Sequence, residues 1–123
     1  MIPEKLREVL KDENIVSIVT EGAHGAHVVN TWNNYINVTE DERFLIPVAK
    51  MNLTEANIKE NNKVLLTLGS RKVDGFYSKG TGFLISGTAA FLNDGAEFDE
   101  MKQKFSWIRT VLEIKVQTVT QTL

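Results

Sequence analysis

"IVSIVTEGAHGAHVVNTWNNYINVTEDERFLIPV", residues 15–48, decides the fold. It opens on a short, β-branched and almost wholly apolar run, "IVSIVT" (15–20), which reads as a buried strand. "EGAHG" (21–25) is a turn by its glycines. "AHVVNTWNNYINV" (26–38) is a second extended run, "TEDE" (39–42) the next turn, and "RFLIPV" (43–48) a third strand. Strand, short turn, strand, repeated, is antiparallel, because a parallel pair needs a crossover of a dozen residues or more. The segment predicts an antiparallel meander in which the second and third strands are neighbours.

The pattern continues outward. In "PVAKMNLTEANI" (47–58) the third strand gives way to a helix expected over 53–60, with Ala49 and Lys50 between. Asn52 and Glu55 have capping-box spacing. "KVLLTLGS" (63–70) is a fourth strand, "RKVDGFYSKGTG" (71–82) a long polar, glycine-rich loop, and "FLISGTAAFL" (83–92) a fifth strand. Gly87 in that strand marks a bulge or a close approach. "NDGAEFDEMKQKF" (93–105) holds an amphipathic helix with Phe98, Met101 and Phe105 at core spacing. In "VLEIKVQTVTQTL" (111–123), Leu112, Ile114 and Val116 alternate with Glu113, Lys115 and Gln117, a half-exposed sixth strand. Upstream, "IPEKLREVLKDEN" (2–14) is an amphipathic helix, with Pro3 in its first turn and Leu6, Val9 and Leu10 on one face. Six strands, three helices and mostly short links predict a mainly β fold. A closed or partly closed six-stranded antiparallel barrel with peripheral α-helices is the economical form, since closure removes exposed edges.

At 123 residues the chain is expected to form a single domain, 1–123. The net charge of −2 gives no electrostatic footprint for nucleic acid or an anionic membrane. The absence of cysteine excludes disulfides, thiolate metal sites and a cysteine nucleophile, and it fits a reducing cytoplasm. No run approaches the ~20 apolar residues of a membrane helix, and the N-terminal segment is too polar for a signal peptide. A soluble cytoplasmic protein with no nucleic-acid or membrane partner is expected.

Few residues suggest catalysis. His24 and His27 flank a glycine turn without carboxylates at a telling spacing, and they read as turn residues before metal ligands. There is no "GxSxG", "GxxxxGK" or "GxGxxG". "GSRK" (69–72) offers a basic pair that could grip an anion or be plain loop charge. "NTWNNY" (30–35) is odd for a strand, because asparagine has poor strand propensity. Either Trp32 is core and the asparagines face solvent, or amide edges and an indole face are arranged for a heteroaromatic ring. Beside the loop at 47–51, where a helix N-terminus favours an anion, the second arrangement suits a ligand planar at one end and phosphorylated at the other, such as flavin mononucleotide (FMN).

"HVVNTWNNY" (27–35), "PVAKMNLTEANI" (47–58), "VLLTLGSRKV" (64–73), "GTGFLISGTAAF" (80–91) and "QTL" (121–123) together resemble the small FMN-binding proteins of sulfate-reducing bacteria. The likeness extends more weakly to the pyridoxamine 5'-phosphate oxidase-like split-barrel superfamily. The resemblance implies a split barrel and a homodimer with FMN between the subunits. It places Asn30, Thr31, Trp32 and Asn33 along the ring and ribityl chain, and Pro47, Val48, Ala49, Lys50 and Met51 beside them. It sets Leu53 and Thr54 at the phosphate, Trp107 against the ring, Gly82 and Phe83 at the subunit cleft, and Leu123 on the partner's flavin. In such proteins the position before Thr54 is a lysine; here it is Leu53. Lys50 is expected to supply the lost charge, with "SRK" (70–72) as second candidate. The resemblance implies electron transfer. The alternative is an FMN-dependent reductase using NAD(P)H or a small organic substrate. A further class is a binding module for another phosphorylated aromatic ligand such as a cobamide, haem or deazaflavin. Aromatic shielding with few cations near the ring predicts a low midpoint potential.

Overall fold

The chain forms α1 (Glu4–Val9), β1 (Ile15–Gly22), β2 (Gly25–Trp32), a 3-10 turn (Asn33–Tyr35), β3 (Asn37–Val38) and β4 (Arg43–Val48). There follow α2 (Asn52–Glu60), β5 (Lys63–Asp74), β6 (Lys79–Leu92), α3 (Ala96–Lys104) and β7 (Thr110–Gln121). This is a computed structural model, and it describes residues 1–123. All strand pairs are antiparallel. The strands form one sheet in the order β2-β1-β5-β6-β7-β4-β3. Its two edge strands, β2 and β3, are consecutive in the chain and joined by the 3-10 turn. The sheet therefore curls back on itself and closes at a split rather than at a ladder.

Alternation makes the core. Val16 and Ile18 of β1, Leu66 and Leu68 of β5, Ile85 of β6, Phe44 and Ile46 of β4 and Ile114 of β7 are buried together. Ile2, Leu6, Val9 and Leu10, in and beside α1, complete the same cluster. A smaller cluster lies under α3, where Met101 packs with Leu45, Ile108 and Val111. No helix is long and apolar enough to cross a membrane.

The structure corrects the sequence reading in four places. The expected second strand over 26–38 breaks at Asn33, whose buried side chain bonds across the fold instead of lying in a ladder. Consequently β2 pairs only with β1, and of the second expected strand only its tail, β3, neighbours the third, β4, through Asn37–Leu45 and Val38–Phe44. The stretch 71–82 is not a loop. β5 and β6 continue through it as a hairpin whose turn, Gly75–Ser78, is closed by a Gly75 N–H to Ser78 O bond of 2.8 Å. Its glycines serve close approach: Gly69 faces Gly82, and a Cβ on Gly69 would lie 2.6 Å from Thr81 O. Finally, the Asn52–Glu55 capping box does not form, since α2 begins without a side-chain cap. The bulge expected at Gly87 is present, where a Cβ would meet Lys115 O at 2.5 Å.

Candidate functional site

β4 ends at Val48, and its pairing with β7 sets Thr110 opposite that residue. This brings Arg109 alongside the connection from β4 to α2. The Arg109 N–H donates to Val48 O at 2.8 Å. Its side chain folds back over the connection, with Nε donating to Ala49 O (3.2 Å) and Nη2 to Lys50 O (2.7 Å). Nη2 also lies 2.9 Å from Glu55 Oε1 in the first turn of α2. With its carbonyls held by the guanidinium, the connection turns through Met51 in the left-handed region (φ 59) and enters the helix. The first backbone bond of α2 runs from Glu55 N–H to Met51 O (2.9 Å). The N–H groups of Asn52, Leu53 and Thr54 are therefore left without a helical acceptor. Thr54 has no exposed surface, and its Oγ1 has no hydrogen-bond partner. A buried hydroxyl is normally satisfied, so an unpartnered one beside free helical amides marks a place for an acceptor from outside the chain. The helix dipole favours that acceptor being an anion. Lys50 and Leu53 are exposed at the same connection.

An aromatic platform adjoins it. Tyr35 lies 5.1 Å from Phe105 and 5.8 Å from Trp107 by ring centroids, and Phe105 lies 5.8 Å from Trp107. Trp107 is two residues before Arg109 and 48% exposed, and Trp32, at the end of β2, is 44% exposed. Neither tryptophan is core, which removes the reading of Trp32 as a core residue. A cavity of about 280 Å³ opens between Glu13, Trp32, Asn34 and Tyr35. Asn30 is exposed on β2, its Oδ1 accepting from Ser17 Oγ (3.1 Å), while Thr31 is buried. Asn33 has no exposed surface; its Nδ2 donates to Val9 O and Gly69 O, each at 3.1 Å, while its Oδ1, like the Thr54 hydroxyl, has no partner.

Pro47 and Val48 are buried in β4 and back the connection rather than line its surface. Gly82, Phe83 and Leu123 form a separate group at the other end of β7. The Thr122 N–H donates to Gly82 O, and Thr81 Oγ1 and Gln121 Nε2 donate to Leu123 O, all at 2.8 Å. The Leu123 side chain remains 64% exposed. "SRK" (70–72) belongs to this far group. Ser70 Oγ donates to Asp12, and Arg71 lies with Lys79, Gly80 and Leu123 around one open cavity. His24 lies in the β1–β2 turn and His27 on β2.

Elsewhere, Arg43 ties β4 to its neighbours through Glu97 and Glu113 (2.6 Å each) and Asp41 (3.0 Å). Its hydrogen bonds, helped by the Thr39 hydroxyl, hold the Asp41 carboxyl down to about 2. The same guanidinium keeps Glu97 below the usual carboxylate range. Sequence reasoning missed Arg109, and it did not weigh Tyr35 as a packing partner of Trp107. The available signal for Arg109 was position: it precedes the strand that pairs with the end of β4.

The family model described as pyridoxamine 5'-phosphate oxidase matches residues 2–123. An "FMN-binding protein" of Nitratidesulfovibrio vulgaris (strain Miyazaki F) is 50% identical over 123 residues, covering all of both chains. Among solved structures, HupZ of Group A Streptococcus superposes with a TM-score of 0.81 at 18% identity, covering 98% of this chain and 94% of the other. An FMN-binding protein from Syntrophomonas wolfei gives a TM-score of 0.74 at 19% identity over 98% and 85%. With the family model spanning nearly every residue and the barrel split at the same class of fold, the chain belongs to the pyridoxamine 5'-phosphate oxidase family.

Proposed function

We propose that the chain is an FMN-binding flavoprotein that acts as a homodimer in electron transfer. The observation that carries this reading is the start of α2: three free amides, the unpartnered Thr54 hydroxyl and the Arg109 guanidinium together, beside two half-exposed tryptophans. A phosphate suits the first set and a planar ring the second. The full-length relative at 50% identity, itself called an FMN-binding protein, supports the same ligand.

In this reading the Leu53 and Thr54 amides and the Thr54 hydroxyl hold the phosphate. Asn30, Thr31 and the segment Pro47–Met51 flank the ribityl chain, and Trp32 and Trp107 cover the ring and exclude water from it. FMN, when bound, supplies the one- and two-electron chemistry; the protein sets its orientation, access and potential.

The homodimer reading is supported by the C-terminal residue: the Leu123 side chain lies beyond β7 and is 64% exposed, free to meet a flavin held by a second copy. The outward residues Ile15, Ser17, Val19, Leu65, Thr67 and Leu84 make an uncharged face on β1, β5 and β6 that suits such contact.

The test is the visible spectrum of the purified protein, followed by FMN titration and gel filtration. Flavin bands co-eluting at twice 13.8 kDa are expected. A colourless protein that takes up no FMN refutes the reading and leaves another phosphorylated aromatic ligand for this fold. Potentiometry of the bound flavin is expected to give a midpoint below that of free FMN.

A further inference from the structure

We propose that Arg109 is the positioning residue of the phosphate end, replacing through the connection and through Glu55 the lysine absent at position 53. The inference rests on the FMN reading above.

Three observations lead to it. First, the guanidinium holds both Ala49 O and Lys50 O, the two carbonyls of the connection, and the Arg109 N–H holds Val48 O. Three consecutive acceptors are thus turned toward one residue. Each of those carbonyls lies antiparallel to the N–H of the next residue, so the Ala49, Lys50 and Met51 amides are turned away from Arg109 on the approach to the free amides of α2. Only a planar fork donates to adjacent carbonyls in this manner; a lysine ammonium is a point charge. Second, Glu55 puts a carboxylate in the first turn of α2, with only 18% of its side chain exposed. A carboxylate there is favourable to the helix but repels a phosphate at the same amides. Arg109, 2.9 Å away, cancels that charge. Third, the exposed substitute, Lys50, is engaged through its backbone oxygen. Its own charge is added to a connection that Arg109 has already neutralised and shaped. Leu53 is tolerated because Arg109, just before β7, cancels the Glu55 carboxylate that a phosphate at these amides would otherwise face.

The experiment compares the affinities of the apo-protein for FMN and riboflavin, which differ only in the phosphate. Arg109→Ala is expected to weaken FMN binding roughly ten- to hundredfold while leaving riboflavin within about threefold. Arg109→Lys, which keeps the charge and loses the fork, is expected to fall between. Glu55→Gln in the otherwise unchanged chain is expected to tighten FMN a few-fold and leave riboflavin unmoved. Arg109→Ala with Glu55→Gln is expected to recover part of the loss. Equal losses for FMN and riboflavin in the Arg109 variants make Arg109 a structural brace and overturn the proposal, as does FMN binding that either Arg109 substitution leaves intact. Should Arg109→Ala fail to fold, Arg109→Lys and Glu55→Gln decide alone: weakened FMN binding in Glu55→Gln refutes the charge argument. An unmutated chain that binds riboflavin but gains nothing from the phosphate refutes this proposal and spares the flavin reading. One that binds neither overturns both.

Discussion

Replacing Asn33 separates a ligand residue from a structural one. The side chain has no exposed surface and joins three elements: Nδ2 donates to Val9 O at the end of α1 and to Gly69 O in β5, while the residue itself opens the 3-10 turn. Its Oδ1 is buried without a partner. Asn33→Ala removes two hydrogen bonds, each contributing about 1 kcal/mol net. The void left by the amide adds roughly 1 kcal/mol, and loss of the unpartnered Oδ1 returns a similar amount. Val9 O keeps the Asp12 N–H at 3.1 Å, so no larger desolvation cost falls on it. The sum is about 2 kcal/mol, or a fall in melting temperature of about 6–10 °C for a chain of this size. Asn33→Asp must be worse, because it sets a carboxylate against two carbonyls in a dry site. Urea denaturation of the apo-protein, with unchanged slope, measures both. FMN affinity of folded Asn33→Ala is expected within about threefold of the parent. If the alanine variant is within about 0.5 kcal/mol of the parent yet loses FMN, Asn33 is a ligand residue and the packing argument fails.

Arg43→Met is expected to destabilise the protein at neutral pH. Because Arg43 depresses the folded-state pKa values of Asp41 and Glu97, its contribution is complete above their ordinary values and fades as pH falls from about 4.5 toward 2. Denaturation curves of parent and variant should converge over that window, and a constant gap would contradict the assignment. Gly69→Ala is expected to cost more than Gly82→Ala by thermal melting. The first Cβ meets the Thr81 carbonyl at 2.6 Å and the second only the Thr122 hydroxyl at 3.1 Å, so the reverse order would show the β5–β6 hairpin to be looser than described. Anaerobic NADH or NADPH is expected to leave the bound flavin coloured; rapid bleaching would move the assignment to a reductase.

The antiparallel barrel was legible because residues 15–48 combine an apolar run, glycine turns and links too short for crossovers, and because β7 alternates cleanly. The glycines at 75, 80 and 82 misled, since glycine marks a loop and a close strand pair equally. Only the pairing of Gly69 with Gly82 tells them apart. Asparagine at 33 gave a true warning that the strand was disturbed there, but not the reason: a side chain buried by partners 24 and 36 residues away has no local signature. Arg109 was hidden the same way. It reaches residues 59 and 60 positions earlier through a strand pairing, far along the sequence from Lys50 and "SRK" (70–72), where a compensating charge was expected.

Met51 carries a further consequence. A side chain in the left-handed region costs roughly 1–2 kcal/mol relative to an ordinary conformation. Here the bend is fixed within the chain by the bonds from Arg109 to the carbonyls just before it. The unfavourable geometry is thus settled when the barrel folds and is not repeated each time a ligand arrives. Such preorganisation removes an ordering penalty from association, so entry into this site should be fast and little opposed by loop entropy. Relaxing the bend with Met51→Gly would relieve the strain of folding and hand the disorder back to the binding step.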